Sequence, residues 1–127
     1  MALFSKISIV LFTLLACTSN PNIITLAPKS YQQELNKQVS KNLIDVRTQG
    51  EAARGMIAGA MLMDISSPDF ESKAQKLDKN KPTFVYCASG IRSKRAASQL
   101  LKLGFKKVFN LDGGIIAWAE EEGLPTK

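Results

Sequence analysis

The 127-residue sequence contains two cysteines in very different settings. Cys87 ends the apolar run Thr83-Phe84-Val85-Tyr86, and the segment Ala88-Ser89-Gly90-Ile91-Arg92-Ser93 follows before a helical pattern begins. A loop running from a strand tip into a helix N-terminus can turn consecutive backbone N–H groups into one concavity, where they and the helix dipole stabilise an anion. A thiolate is such an anion. The loop is therefore expected to lower the Cys87 pKa and make the sulfur nucleophilic near neutral pH, with residues 88–93 as the substrate-binding cradle. Gly90 permits a turn that a side chain would resist. Arg92 adds a fixed positive charge that either binds an anionic substrate or braces the loop. The plain alternative for Cys87 is a small buried hydrophobe at a strand end, a common fate of free cysteine.

Asp45 and Arg47 invite a reading as an acid and a substrate clamp. The simpler expectation is loop support: charged residues just after a strand, pairing with the backbone or each other beside the active site. Trp118 and Ile115 read as core contacts of the last helix. Histidine is absent, which removes the commonest general base and the commonest metal ligand and excludes a Cys/His or Ser/His catalytic arrangement. Two cysteines cannot form a Cys-only zinc site, so no metal and no cofactor is implied. The net charge of +6 favours anionic partners. Its lysines and arginines are spread along the chain, with no aromatic-studded basic strand, so nucleic acid is not expected as a partner. Lys94, Arg95, Lys102, Lys106 and Lys107 read as a solvated face that could also raise the local potential for a small anion.

Met1–Lys6 carries one positive charge, residues 7–15 are almost wholly apolar, and Ala16-Cys17-Thr18-Ser19 follows. This is signal-peptide anatomy, and an apolar run of about ten residues would span only about 15 Å as a helix, too little for a bilayer core. Leu14-Leu15-Ala16-Cys17 resembles the bacterial lipobox, which implies cleavage before Cys17 and a lipid on its sulfur. Residues 1–16 are then a signal peptide, and the protein is tethered in the cell envelope facing the periplasm. With Thr18 rather than Asp after the cysteine, the resemblance implies the outer membrane of a Gram-negative cell. An ordinary secretory signal cut near Ala16 and a Cys17–Cys87 disulfide are the alternatives; the disulfide would consume the only candidate nucleophile. Removal of residues 1–16 takes away only Lys6 and leaves the chain basic.

Residues 17–29 are polar and interrupted by Pro21 and Pro28, and they read as a tether. Ser30-Tyr31-Gln32-Gln33 fits a capping box, which predicts a helix to about Ser40 and a folded domain over residues 30–127. Strands are expected at Leu43–Val46, Ala60–Met63, Thr83–Cys87 and Lys107–Leu111. Helices fit between them. Pro68 after Ser67 suggests a helix to about Leu77; Ser93–Leu103 has apolar positions at helical spacing before Gly104; Gly114–Glu122 ends at Gly123 and Pro125. Strands separated by helices require crossovers, so the expected fold is α/β: a parallel sheet of four to five strands with helices on both faces.

Four segments, Leu43-Ile44-Asp45-Val46-Arg47, Gly55-Met56-Ile57-Ala58-Gly59-Ala60, Tyr86-Cys87 through Ser93, and Leu111-Asp112-Gly113-Gly114 with Trp118, are similar in type, order and spacing to the motifs of rhodanese-like domains. The resemblance covers the chain from about Ser30 to its end. It implies sulfurtransferase activity: Cys87 takes a sulfane sulfur from a small anionic donor such as thiosulfate, a polysulfide or a persulfide, and passes it to a thiol, including a protein thiol, or to cyanide. A non-catalytic binding module or a persulfide carrier is the alternative. Related phosphatases and arsenate reductases place five residues between Cys and Arg, whereas Cys87 and Arg92 are separated by four. Many family members have His at Met56, an acidic residue at Gly50 and an aromatic residue at Ala52. These departures bear on efficiency and substrate identity.

Overall fold

Three strands carry no exposed residue, which in a short strand means that both faces are covered. The computed structural model describes residues 22–121. Its sheet is built from β1 (Ile23–Leu26), β2 (Asn42–Asp45), β3 (Met61–Leu62), β4 (Thr83–Tyr86) and β5 (Val108–Leu111), all parallel, in the order β1-β5-β4-β2-β3. Helices α1 (Pro28–Lys37), α2 (Gln49–Ala52), α3 (Phe70–Ala74) and α4 (Ile91–Lys102) lie in the crossovers, and α5 (Gly114–Glu121) follows the last strand. The expected α/β architecture is therefore present.

The two-residue period of a strand sends alternate side chains to opposite cores. Phe84 and Tyr86 of β4 pack with Tyr31 of α1 and Trp118 of α5, while Val85 and then Cys87 pack with Ala96, Ala97 and Leu100 of α4 and with Phe70 and Ala74 of α3. Tyr31 is fully buried, donates to the Val85 carbonyl at 3.1 Å and meets the Phe84 and Trp118 rings edge-on. Phe84 and Phe109 stack with centroids 4.6 Å apart across β4 and β5. These contacts set the level at which β4 ends and the reactive loop begins.

Three local expectations are corrected. Residues 23–26, read from the sequence as tether, form an edge strand paired to β5 from Ile23↔Val108 to Leu26↔Leu111. The β-branched run Ile23-Ile24-Thr25 lies between two prolines, and only its pairing with β5 distinguishes strand from linker. The Ser30–Gln33 capping box does not form: the helix begins at Pro28, whose missing N–H needs no partner at N1, with Ala27 as N-cap. Likewise α3 starts at Phe70 rather than Pro68, because the Ser67 hydroxyl donates to the Asp69 carboxylate at 2.6 Å and holds that stretch as a turn. Cys17, the signal-peptide segment and the Gly123–Pro125 stop lie outside the described residues.

Candidate active site

Parallel strands bring their C-terminal ends to one edge of the sheet, and in open α/β sheets that edge is where ligands bind. Cys87 sits there, directly after β4, fully buried and with a free thiol. The chain turns at Gly90, whose φ of +98° is a conformation that glycine adopts without a steric cost, and Gly90 caps α4. The Gly90 N–H donates to Cys87 Sγ at 3.1 Å and the buried Ser93 hydroxyl donates to it at 3.3 Å. Burial pushes the Cys87 thiol up. The Ser93 hydroxyl and the backbone N–H groups of Ser93, Gly90 and Ser89 outweigh it and hold the pKa below the ordinary thiol range. The cradle expected of residues 88–93 thus surrounds a sulfur stabilised as an anion.

The loop rests on α5. Ile115 N–H donates to the Cys87 carbonyl at 2.9 Å and Ile116 N–H to the Ala88 carbonyl at 3.2 Å. This approach requires glycine at 114: its φ is +62°, and a Cβ there would lie 2.6 Å from the Cys87 carbonyl oxygen and closer still to Ala88. Gly114 therefore lets α5 approach the backbone of Cys87 and Ala88.

Arg92 braces the loop. Its guanidinium makes a bidentate pair with Glu51, Nη2 to Oε1 at 2.7 Å and Nη1 to Oε2 at 2.8 Å, with both side chains about one-third exposed. Glu51 is itself fixed by a capping box at the start of α2: its carboxylate accepts the Thr48 N–H at 3.0 Å, and the Thr48 hydroxyl accepts the Glu51 N–H at 3.3 Å. The Arg92 hydrogen bonds, followed by those from Thr48, lower the Glu51 pKa to about 2 despite partial burial. Thr48 and Glu51 thus support the loop, and the capping-box pattern Thr48-Gln49-Gly50-Glu51 directly after Arg47 is the sequence signal that points to them.

Asp45 and Arg47 pair with each other. Arg47 Nη2 lies 2.6 Å from Asp45 Oδ2, and Arg47 Nε donates to Asp45 Oδ1 at 2.9 Å, with both residues buried. The same Nη2 donates to the Gly55 carbonyl at 2.7 Å, while the Tyr86 hydroxyl accepts the Ile57 N–H at 3.1 Å. Burial and the Asp45 carboxylate raise the Tyr86 pKa and keep the phenol protonated. The backbone on both sides of Met56 is thereby held in place. Gly50 faces open space and Ala52 is buried, and the hydrogen bonds to Cys87 Sγ come from Gly90 and Ser93 rather than from positions 50, 52 or 56. Ile91, the first residue of α4, stands 75% exposed, and Ile116 of α5, whose N–H donates to the Ala88 carbonyl, is 58% exposed.

An α/β sheet with a strand-end cysteine in a six-residue anion cradle defines a class of protein equipped for chemistry at a stabilised thiolate. Comparison with known proteins agrees with that class. The rhodanese-like domain model matches residues 27–121. A sulfurtransferase of Allochromatium vinosum is 37% identical over 97 residues, covering 76% of this chain and 88% of that protein. The tRNA uridine(34) hydroxylase of Chlamydia caviae is 36% identical over 77% of this chain, which spans only 31% of that longer protein. Among solved structures, the polysulfide-sulfur transferase homodimer of Wolinella succinogenes superposes with a TM-score of 0.68 at 32% identity, covering 84% of this chain and 79% of that one. The chain belongs to the rhodanese-like domain family.

Proposed function

We propose that the protein is a sulfurtransferase working through a Cys87 persulfide. The observation that carries this reading is the Cys87 sulfur accepting hydrogen bonds from Gly90 N–H and the Ser93 hydroxyl at the head of α4. With thiosulfate as donor, the Cys87 thiolate attacks the outer sulfur, the S–S bond of thiosulfate breaks, and sulfite leaves with the bonding pair. The terminal sulfur of Cys87–S–S⁻ takes the anionic position. An incoming thiolate or cyanide then attacks that sulfur and returns Cys87 as a thiolate, so no oxidant or reductant is consumed. Arg92, held by Glu51, fixes the loop and contributes positive potential near the sulfur. The sulfurtransferase and polysulfide-sulfur transferase names of two relatives support the reading.

Intact mass spectrometry before and after thiosulfate or polysulfide tests it. One added sulfur atom, reversed by reductant and absent in Cys87→Ser, is the expected result; no adduct from any donor sinks the proposal. The exposed Ile91 and Ile116 beside the cradle favour a second reading, a persulfide carrier that unloads only to a protein acceptor. Multiple turnovers with thiosulfate and cyanide would count against that variant. The four-residue spacing between Cys87 and Arg92 disfavours oxyanion hydrolysis, which needs a wider cradle.

We further propose an envelope location through a lipid on Cys17, supported by the lipobox-like Leu14-Leu15-Ala16-Cys17 after an apolar run. Acyl mass on an N-terminal Cys17, lost in Cys17→Ala, is the expected finding. An unmodified Cys17 would refute it.

A further inference from the structure

The end of the sheet opposite Cys87 has a composition that the sulfur chemistry does not use. The N-terminal ends of β1, β5, β4 and β2 form one continuous row, joined by Val108 N–H to the Asn22 carbonyl at 3.3 Å, Thr83 N–H to Lys107 at 3.1 Å and Asn42 N–H to Pro82 at 3.0 Å. Two neighbouring connections there, α3–β4 and α4–β5, together with the last residue of α4, carry Lys76, Lys79, Lys81, Lys102, Lys106 and Lys107, with Asp78 the one carboxylate among them. They touch directly, Lys106 N–H donating to the Lys79 carbonyl at 3.1 Å. None of these six lysines forms an ion pair with a described residue. Lys at the end of a helix complements its dipole, which accounts for Lys102 but not for the five in the connections.

Beside this group, the α1–β2 turn presents a fully exposed Val39 next to Lys41. Acidic side chains near this end are Glu34, already paired with Lys37, and Glu120 and Glu121 of α5, which packs beside α1 on the face of the sheet opposite α3 and α4. The chain also enters the fold here, at Asn22. Cys17 precedes Asn22 by five residues, a reach of at most about 18 Å. The apolar run of residues 7–15 lies just before it.

We propose that this lysine-rich pole is a docking face for an anionic phospholipid surface, with Val39 entering the headgroup region. Charge, an exposed apolar tip and the entry point of the chain all coincide there, and a second, electrostatic contact is what turns a single anchor into stable and oriented attachment. Cys87 then faces away from the bilayer, one strand length or about 13 Å further along the sheet, open to soluble donors and acceptors. The proposal adds to the envelope location above but needs no lipid on Cys17.

The test uses the full chain carrying Cys17→Ala, bound to phosphatidylcholine vesicles with and without phosphatidylglycerol at about 0.1 M salt, where screening extends over about 10 Å. The ratio of the two affinities cancels whatever the apolar leader contributes. Preference for the anionic vesicles is expected to fall about fivefold for each lysine removed, and so on the order of a hundredfold or more in Lys76→Ala/Lys81→Ala/Lys102→Ala/Lys106→Ala. Sulfur uptake by Cys87 in that variant verifies its fold, and equal uptake by vesicle-bound protein supports the orientation. A ratio near one in the parent, a ratio unchanged in the variant, stronger capture by an RNA duplex than by vesicles, or loss of uptake on vesicle binding would each overturn the proposal. None of these outcomes bears on lipidation of Cys17, which is read separately from the N-terminal mass.

Discussion

Replacing Gly114 with alanine adds one methyl group, and its cost can be worked out from the structure. The new Cβ would lie 2.6 Å from the Cys87 carbonyl oxygen and closer to the backbone of Ala88, both main-chain groups with no rotamer to yield. Overpacking of this kind costs about 1–3 kcal/mol. The left-handed φ of +62° adds about 1–2 kcal/mol for a residue with a Cβ. Relief requires α5 to move off the loop, breaking the Ile115 and Ile116 N–H bonds to the Cys87 and Ala88 carbonyls. The expected destabilisation is about 3–4 kcal/mol, a large share of the roughly 5–15 kcal/mol that holds a domain of this size together. At about 4–8 °C per kcal/mol the melting temperature should fall by about 12 °C or more. Gly50→Ala is the control, since nothing lies within 4 Å of its would-be Cβ and it sits inside α2. That change should stabilise by about 0.5–1 kcal/mol. Thermal melts and Cys87 sulfur uptake would be measured on both. A Gly114→Ala protein melting within a few degrees of the parent and loading sulfur at the parental rate would refute the claim that this contact positions the nucleophile.

Ser93→Ala removes the hydroxyl donor to Cys87 Sγ and should raise the thiol pKa, shifting the pH profile of sulfur uptake to higher pH with activity recovered under alkaline conditions. Because the folded thiol pKa lies below its unfolded value, the unfolded chain binds more protons between the two. The parent should therefore gain stability over Cys87→Ser as pH rises through that window, as urea midpoints at several pH values would register. Glu51→Gln should slow sulfur uptake by about ten- to hundredfold through a displaced loop, with single-turnover kinetics as the readout. The Glu51 contribution to stability is complete above the ordinary carboxylate range and lost as pH falls toward about 2, so acid unfolding of the parent should show a component missing from Glu51→Gln. Asp45→Ala leaves the Arg47 charge buried without its partner and should cost about 3–5 kcal/mol in chemical denaturation.

Much of the reactive loop could be read along the chain because its determinants are local. A cysteine at a strand end, a glycine three residues on and a helix start define the anion cradle within seven consecutive residues. The alternation of strand and helix patterns was equally legible, and with it the parallel sheet. Short elements were harder to place, as the missed β1 and the displaced starts of α1 and α3 show. A four-residue run between prolines has no periodicity long enough to distinguish strand from linker, and a serine can cap a helix or close a turn with equal local plausibility.

By itself the sequence singled out Cys87 Sγ as the candidate nucleophile and the groups beside it, since those contacts span at most six residues. Only the tertiary structure showed which group holds Arg92. Its partner Glu51 is 41 residues away, and the choice between binding substrate and bracing the loop depends on a crossover that brings α2 beside α4. The tertiary structure likewise made Ile23–Leu26 a strand by supplying β5 as its neighbour, and it gathered lysines scattered along the chain onto one pole. Backbone hydrogen bonds to a distant strand and Coulomb contacts between remote turns are set by the sheet order, and no local pattern of residues encodes that order.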